Sequence, residues 1–172
     1  MRLGAVLAGG ESRRFGRDKA LALYRGVPLI EHAAALLRPF TDAVVIVGGE
    51  REGVEAVPDR PAPGLGPLGG ICGALAHARM HGFETVLTVP CDTPDLPADA
   101  LAALISVEAP AFLEPLPVAG VWLTRDLASL GSHLVSGGRR SVRGWCAACG
   151  AQPVAWVTDF TNVNRQEDLP RA

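Results

Sequence analysis

Nowhere in this 172-residue chain is there an apolar run approaching the roughly 20 residues that a bilayer span requires. The opening run from Leu3 to Ala8 is short and is cut off by glycine and charge, so neither a membrane helix nor a secretory leader is expected, and the cytoplasm is the expected setting. Charge of one sign is also missing. The formal net charge is -2, which leaves no global field to attract nucleic acid or an anionic membrane, and neither is expected as a partner. Aromatic residues make up only 5%, and Trp122, Trp145 and Trp156 stand far apart, which reads as core or pocket lining rather than a stacking platform. Cysteine is sparse: Cys72, Cys91, Cys146 and Cys149. The one close pair, Cys146 and Cys149, lacks the second pair or spaced histidines of a structural zinc site, so small buried thiols in a reducing compartment are expected. His77 and His81 have helical spacing for a metal pair, but no further ligand stands near them in sequence, and an exposed helix face is the expected reading. A Walker A loop and a GxGxxG fingerprint are both absent.

What is present is a hydrophobic content of 48%, enough for one domain over residues 1–172 with a substantial core. Continuous apolar runs alternate with helical periodicity, the pattern of a mostly parallel sheet covered by helices. Strands are expected at Leu3–Leu7, Ala43–Val47, Val54–Val57, Thr85–Val89, Val118–Leu123 and Val154–Val157. Helices are expected from Val27-Pro28 to Arg38, over Ile71–Arg79, from Pro97 or Asp99 onward, and near Asp126–Val135. The segment DRPAPGLGPLGG, Asp59–Gly70, reads as a loop.

Two places carry chemistry. The first is LAGGESRRFGRDKA, Leu7–Ala20, where a strand runs into Gly9-Gly10 and then Ser12, Arg13, Arg14, Arg17 and Lys19. Glycines after a strand let backbone N–H groups approach phosphates, and the cations supply charge for a polyphosphate. Lys19 is the strongest single cation, because a flexible ammonium follows charge as it moves between phosphates; a solvated lysine paired with Asp18 is the alternative. The second is VLTVPCDTPDLP, where Asp92 falls at the carboxyl end of a parallel strand, suited to holding Mg²⁺ beside triphosphate oxygens or to capping the following turn. Asp95 follows Pro94 in a turn and reads as a cap, and Asp59 as a ligand contact or loop cap. Cys91 has no neighbouring base and is not read as a nucleophile. Arg139, Arg140 and Arg143 read equally as a solvated cluster or as an attraction for a second phosphate-bearing substrate.

These pieces, LAGGESRRFGRDKALA, PDRPAPGLGPLGGICGAL, VPCDTPDLP and FTNVNRQEDL, resemble the molybdenum cofactor guanylyltransferase family across nearly the whole chain. The resemblance implies a Rossmann-like three-layer α/β/α sandwich of nucleotidyltransferase type. It implies attack by the terminal phosphate of molybdopterin on the α-phosphorus of GTP, with Mg²⁺ as cofactor and pyrophosphate as product. On the same footing Leu7, Ala8, Gly9 and Gly10 would contact guanine and ribose, Lys19 the phosphates, Asp59 the nucleotide, and Asp92 the metal. Lys19, Arg13 and Asp92 would form the catalytic set, with Asn162 and Asn164 on the cofactor side. Transient contacts with molybdenum cofactor synthesis proteins or apo-molybdoenzymes would follow. An ionised phosphate nucleophile needs no general base, in keeping with the absence of a Ser–His–Asp or Cys–His set. The chain departs from the family's usual pattern at Val47-Gly48-Gly49-Glu50, at Arg165-Gln166 and in a short region between Ile105 and Val118. Cytidylyl transfer to the same cofactor, sugar-phosphate nucleotidyl transfer and a non-catalytic nucleotide-binding accessory role stay open at this point.

Overall fold

The computed structural model describes residues 1–9, 18–48, 56–136, 141–157 and 159–169. In chain order these carry β1 (Arg2–Leu7), β2 (Leu23–Tyr24), β3 (Val27–Pro28), α1 (Leu29–Leu37), β4 (Ala43–Val47), β5 (Ala56–Val57), α2 (Pro67–Met80), β6 (Thr85–Pro90) and α3 (Ala98–Ser106). Then follow β7 (Ala111–Leu113), β8 (Leu116–Leu123), α4 (Leu127–Val135), α5 (Val142–Cys149) and β9 (Gln152–Val154). Seven strands form one sheet in the order β5-β4-β1-β6-β8-β7-β9, and β2 and β3 form a separate hairpin. Only β8 runs against its neighbours β6 and β7; the remaining pairings in the sheet are parallel.

The strands alternate their side chains between two apolar layers, as a sheet buried on both faces must. Leu3, Ala5 and Leu7 of β1 join Val86 and Trp122 against Leu68, Ile71 and Leu75 of α2, Leu130 and Leu134 of α4, and Trp145 of α5. Val6, Leu87, Val89 and Val121 point the other way, onto Ile30, Ala33 and Leu37 of α1 and Leu101 and Leu104 of α3. The result is the three-layer α/β/α arrangement. Trp122 is 1% exposed, and its Nε1 donates to the fully buried Thr88 Oγ1 at 2.8 Å, so the indole is satisfied inside the core. Trp145 is also buried and Trp156 packs partly buried against the second layer, as expected of lining rather than a stacking platform.

Several expected elements shift. The helix read from Ile71 begins at Pro67, because Gly69 and Gly70 are helical and close-packed rather than loop. The strand read at Val154–Val157 lies at Gln152–Val154, and of the strand read at Val54–Val57 the described part is Ala56–Val57. The strand β7 is too short to show a period. Helix α5 was not anticipated, although its signals are present: Ser141 Oγ caps Gly144 N at 3.1 Å, and Gly150 ends it in the left-handed region. Gly144 weakens the helical pattern inside it. The β2–β3 hairpin turns through Arg25 and Gly26, both at positive φ, as a type I′ connection requires. No helix among the described residues is long and apolar enough to cross a membrane.

Candidate active site

The chain leaves β1 toward β4 and β5 on one side and returns as β6 on the other, so the sheet order reverses at the carboxyl ends of β1 and β6. Open α/β sheets hold ligands at such a crevice. Leu7 pairs with Pro90 at this end, Cys91 N donates to Leu7 O at 3.1 Å, and Ala8 N donates to Val47 O at 2.9 Å. Leu7 and Ala8, where the turn begins, are thereby held between the ends of β4 and β6.

Lys19 opens a short 3-10 turn, Lys19–Leu21, which Asp18 caps through Ala20 N at 3.0 Å. With Asp18 capping this turn, the Lys19 ammonium crosses the crevice and lies 2.9 Å from Asp92 Oδ2. The two side chains are only 19% and 26% exposed, and Asp92 Oδ1 has no partner among the described residues. The alternatives of a Lys19–Asp18 pair and of an Asp92 turn cap are therefore not what the fold adopts.

A second carboxylate faces the same turn. A Cβ built on Gly9 would stand 3.7 Å from Asp59 Oδ1, one on Gly70 3.8 Å from it, and one on Gly69 3.6 Å from Oδ2. At Gly48, with φ at +80°, a Cβ would stand 2.6 Å from Gly9 Cα and 3.3 Å from Asp59 Oδ1. Four glycines thus form a cradle of bare backbone around one carboxylate. Helix α2 holds it there: a side chain at Gly73 would collide with Pro58 O, and Arg60 N donates to Gly69 O at 3.0 Å. No hydrogen bond reaches the Asp59 carboxylate among the described residues, and burial pushes its pKa above the usual carboxylate value. Asp59 is not a loop cap.

The closing motif docks beside Asp92. Val163 N donates to Asp92 O at 2.8 Å, and the Val163 side chain is fully buried with Ala22, Tyr24 and Leu29. Asn162 and Asn164, on either side of it, are exposed. Asp95 holds this segment rather than a local turn: its Oδ1 accepts from Thr161 N at 2.7 Å and its Oδ2 from Thr161 Oγ1 at 2.6 Å and Tyr24 Oη at 3.4 Å. Burial opposes ionisation of Asp95, but these hydrogen bonds outweigh it and hold the pKa below the usual value. Sequence reading did not find this contact, whose partners are 66 residues apart.

The fold thus gathers Leu7, Ala8, Gly9, Lys19, Asp59 and Asp92 at one end of the sheet, and through Val163 it brings the exposed Asn162 and Asn164 into the segment beside Asp92. Gly10 and Arg13 lie outside the described residues, as do Ser12, Arg14, Arg17, Arg139 and Arg140. Arg143 donates to Glu114 O at 2.6 Å, just past the carboxyl end of β7. The histidine pair lies elsewhere on α2 and just beyond it, with rings stacked 4.1 Å apart. Cys72, Cys91 and Cys146 are buried and Cys149 is half-buried, with burial pushing the Cys146 thiol up to about 12.

The chain has relatives. A family model described as a MobA-like NTP transferase domain matches residues 4–115. A molybdenum cofactor guanylyltransferase from Rhodobacter capsulatus is 37% identical, over 98% of this chain and 93% of that protein. Among solved structures, molybdopterin-guanine dinucleotide biosynthesis protein A from Archaeoglobus fulgidus superposes with a TM-score of 0.69 at 21% identity, covering 98% of this chain and 94% of the other. A nucleotidyl transferase from Methanothermobacter thermautotroptrophicus gives 0.73 at 19% identity with the same coverage. The two structures establish the nucleotidyltransferase fold, and the family model with the full-length relative places the chain within the molybdenum cofactor guanylyltransferase family of MobA-like NTP transferases.

Proposed function

We propose that this protein transfers GMP from GTP to the terminal phosphate of molybdopterin, forming the guanine dinucleotide and releasing pyrophosphate. The observation that carries this reading is the convergence of the Lys19–Asp92 pair and the uncapped Asp59 carboxylate on one glycine-lined turn at the switch point. The reaction joins two highly anionic partners, so the work of the protein is alignment and the offset of repulsion. An oxygen of the acceptor phosphate, already ionised, forms the new bond to the α-phosphorus. The bond from that phosphorus to the bridging oxygen breaks, and the electron pair leaves with pyrophosphate. No proton has to be removed.

Each residue has a part in this reading. The bare backbone at Gly9, Gly48, Gly69 and Gly70 lets the nucleoside lie against the turn without meeting a side chain. Asp59, when ionised, accepts from the adjacent ring N–H and amino group of guanine, a donor pair that cytosine lacks. Lys19 turns from Asp92 to the phosphates and stabilises charge on the departing pyrophosphate. Asp92 would hold Mg²⁺ through Oδ1. A lone hard carboxylate at a strand end fits that ion, which commonly takes one or two carboxylates and completes its shell with phosphate oxygens and water; no cluster of three ligating side chains occurs among the described residues. Held there by Asp92, Mg²⁺ would supply positive charge to offset that of the phosphates. Arg13 is carried from the sequence as a second cation, and Asn162 and Asn164 face the acceptor. Transient handover contacts with cofactor-synthesis proteins or apo-molybdoenzymes belong to the same reading.

The test is pyrophosphate release with molybdopterin and Mg²⁺, comparing GTP with CTP. Turnover with GTP that stops on chelation of the metal is the expected result. A preference for CTP, or silence with both nucleotides on verified acceptor, would overturn the assignment.

A further inference from the structure

The contact between Asp95 and Thr161 has no role in the reaction as derived so far. It ties the last motif of the chain to the loop that carries Asp92, and does so with both oxygens of one carboxylate, at 2.7 and 2.6 Å. Three further bonds fix the segment. Val163 N reaches Asp92 O at 2.8 Å, and Asp168 Oδ2 accepts from both Asn164 N and Arg165 N at 2.7 Å. Residues 159–164 have no regular secondary structure, so these contacts, together with the buried Val163 side chain, are what place the segment. Val163 is buried and its two neighbours are exposed, so Asn162 and Asn164 lie on the face turned away from the Ala22, Tyr24 and Leu29 cluster.

We propose that Asp95 is a positioning residue for the acceptor substrate: its clasp on Thr161 sets Asn162 and Asn164 at a fixed distance from Lys19 and Asp92. This rests on the functional reading above and goes beyond it by assigning the acceptor side to a residue that touches neither substrate. Tyr24 makes the clasp a three-way junction, because its hydroxyl donates to Asp95 at 3.4 Å while its ring packs beside Val163. The β2–β3 hairpin, the Asp92 loop and the closing motif are thereby held as one unit. The nucleotide cradle at Gly9, Gly48 and Asp59 takes no part in these contacts, so loosening the clasp acts chiefly on the acceptor.

The experiment compares wild type with Asp95→Ala, Asp95→Asn and Thr161→Val, reading steady-state constants for both substrates and hydrogen–deuterium exchange over residues 159–165. In Asp95→Ala the Thr161 and Val163 amides should exchange at least tenfold faster, and KM for molybdopterin should rise at least tenfold with KM for GTP within twofold of wild type. Asp95→Asn should recover most of both effects, since its amide oxygen accepts from Thr161 N while its NH₂ donates to the Thr161 hydroxyl. Thr161→Val removes one bond with almost no change of volume, keeps the test decisive should Asp95→Ala fail to fold, and should raise the acceptor KM two- to fivefold. Unchanged exchange in Asp95→Ala, an equal rise in both KM values, failure of Asp95→Asn to rescue, or an unaltered Thr161→Val would each overturn the proposal. Amide exchange needs no substrate. A wild type that fails to turn over would sink the guanylyl-transfer reading and with it the acceptor role, while the exchange data would still decide whether Asp95 holds the segment.

Discussion

Replacing Gly48 with alanine asks how much of the site depends on two backbones touching. At φ +80° an L side chain costs about 1–2 kcal/mol through the clash of Cβ with the carbonyl that follows. The new Cβ would also stand 2.6 Å from Gly9 Cα and 2.8 Å from Gly9 N. Those are backbone atoms that no rotamer change can move, and forced overpacking of this kind costs about 1–3 kcal/mol more. Gly82 supplies the internal control, since its φ is +78° but nothing lies within 4 Å of a Cβ there. Gly82→Ala should therefore lose only the conformational part, about 1–2 kcal/mol, and Gly48→Ala about 2–5 kcal/mol in all. At this chain length each kcal/mol moves Tm by about 2–4 °C, so the two variants separate in a thermal scan. Calorimetric titration with GTP should show Gly48→Ala weakened at least tenfold, because relief of the clash moves Gly9 off Asp59, while Gly82→Ala binds as wild type. Equal stability of the two variants would refute the close approach. A destabilised Gly48→Ala that binds nucleotide normally would refute the role of the cradle.

Three further outcomes follow from the charges of the site. Burial raises the Asp59 pKa above its unfolded value of 3.8, so the folded state binds the proton more tightly and loses stability as pH rises from 3.8 through the folded pKa; Asp59→Asn should raise Tm at pH 7, with the gain shrinking as pH falls toward 3.8 and vanishing below it, and should weaken GTP binding, whereas no gain at pH 7 would argue against a half-buried carboxylate without a hydrogen-bond partner among the described residues. Lys19→Met strands the Asp92 carboxylate, at a cost of about 1–2 kcal/mol for a pair intermediate between surface and core, and should lower kcat by about 10²-fold or more; an unchanged rate of pyrophosphate release would remove Lys19 from the mechanism. Asp92→Ala should abolish metal-dependent turnover while unfolding as cooperatively as wild type in denaturant, and retained turnover would dismiss Asp92 as the metal-holding group.

The parts of this architecture that the sequence makes legible are those where a local pattern and a global need coincide. Leu3–Leu7 is apolar throughout and Thr85–Val89 is broken only by its two threonines, because both faces of their strands are covered, and each is followed by residues that have no place in a core. That is why Lys19 and Asp92 can be picked out as a cation and a carboxylate at strand ends. Their meeting across 73 residues is a product of sheet order, which no local signal contains. Asp59 shows the same limit: its glycines are visible in three separate motifs, but only the return of α2 onto Pro58 brings them round one carboxylate. Asp95 reads as a cap by its PDLP context, and the true partner, Thr161, arrives from the far end of the chain. Helix α5 was lost because Gly144 and two cysteines blur its period, although its caps at Ser141 and Gly150 were in plain view.

The ion pair between Lys19 and Asp92 makes ligand binding at this crevice an exchange. Each charge already neutralises the other inside a partly dry cleft, so a newcomer is measured against what it displaces. A ligand of one sign only must break the pair and leave the opposite member stranded. A ligand that presents a negative and a positive centre side by side can replace both partners at once, each at its own end. The resting pair therefore acts as a filter on the charge pattern of what settles there, and at rest neither Lys19 nor Asp92 is left uncompensated.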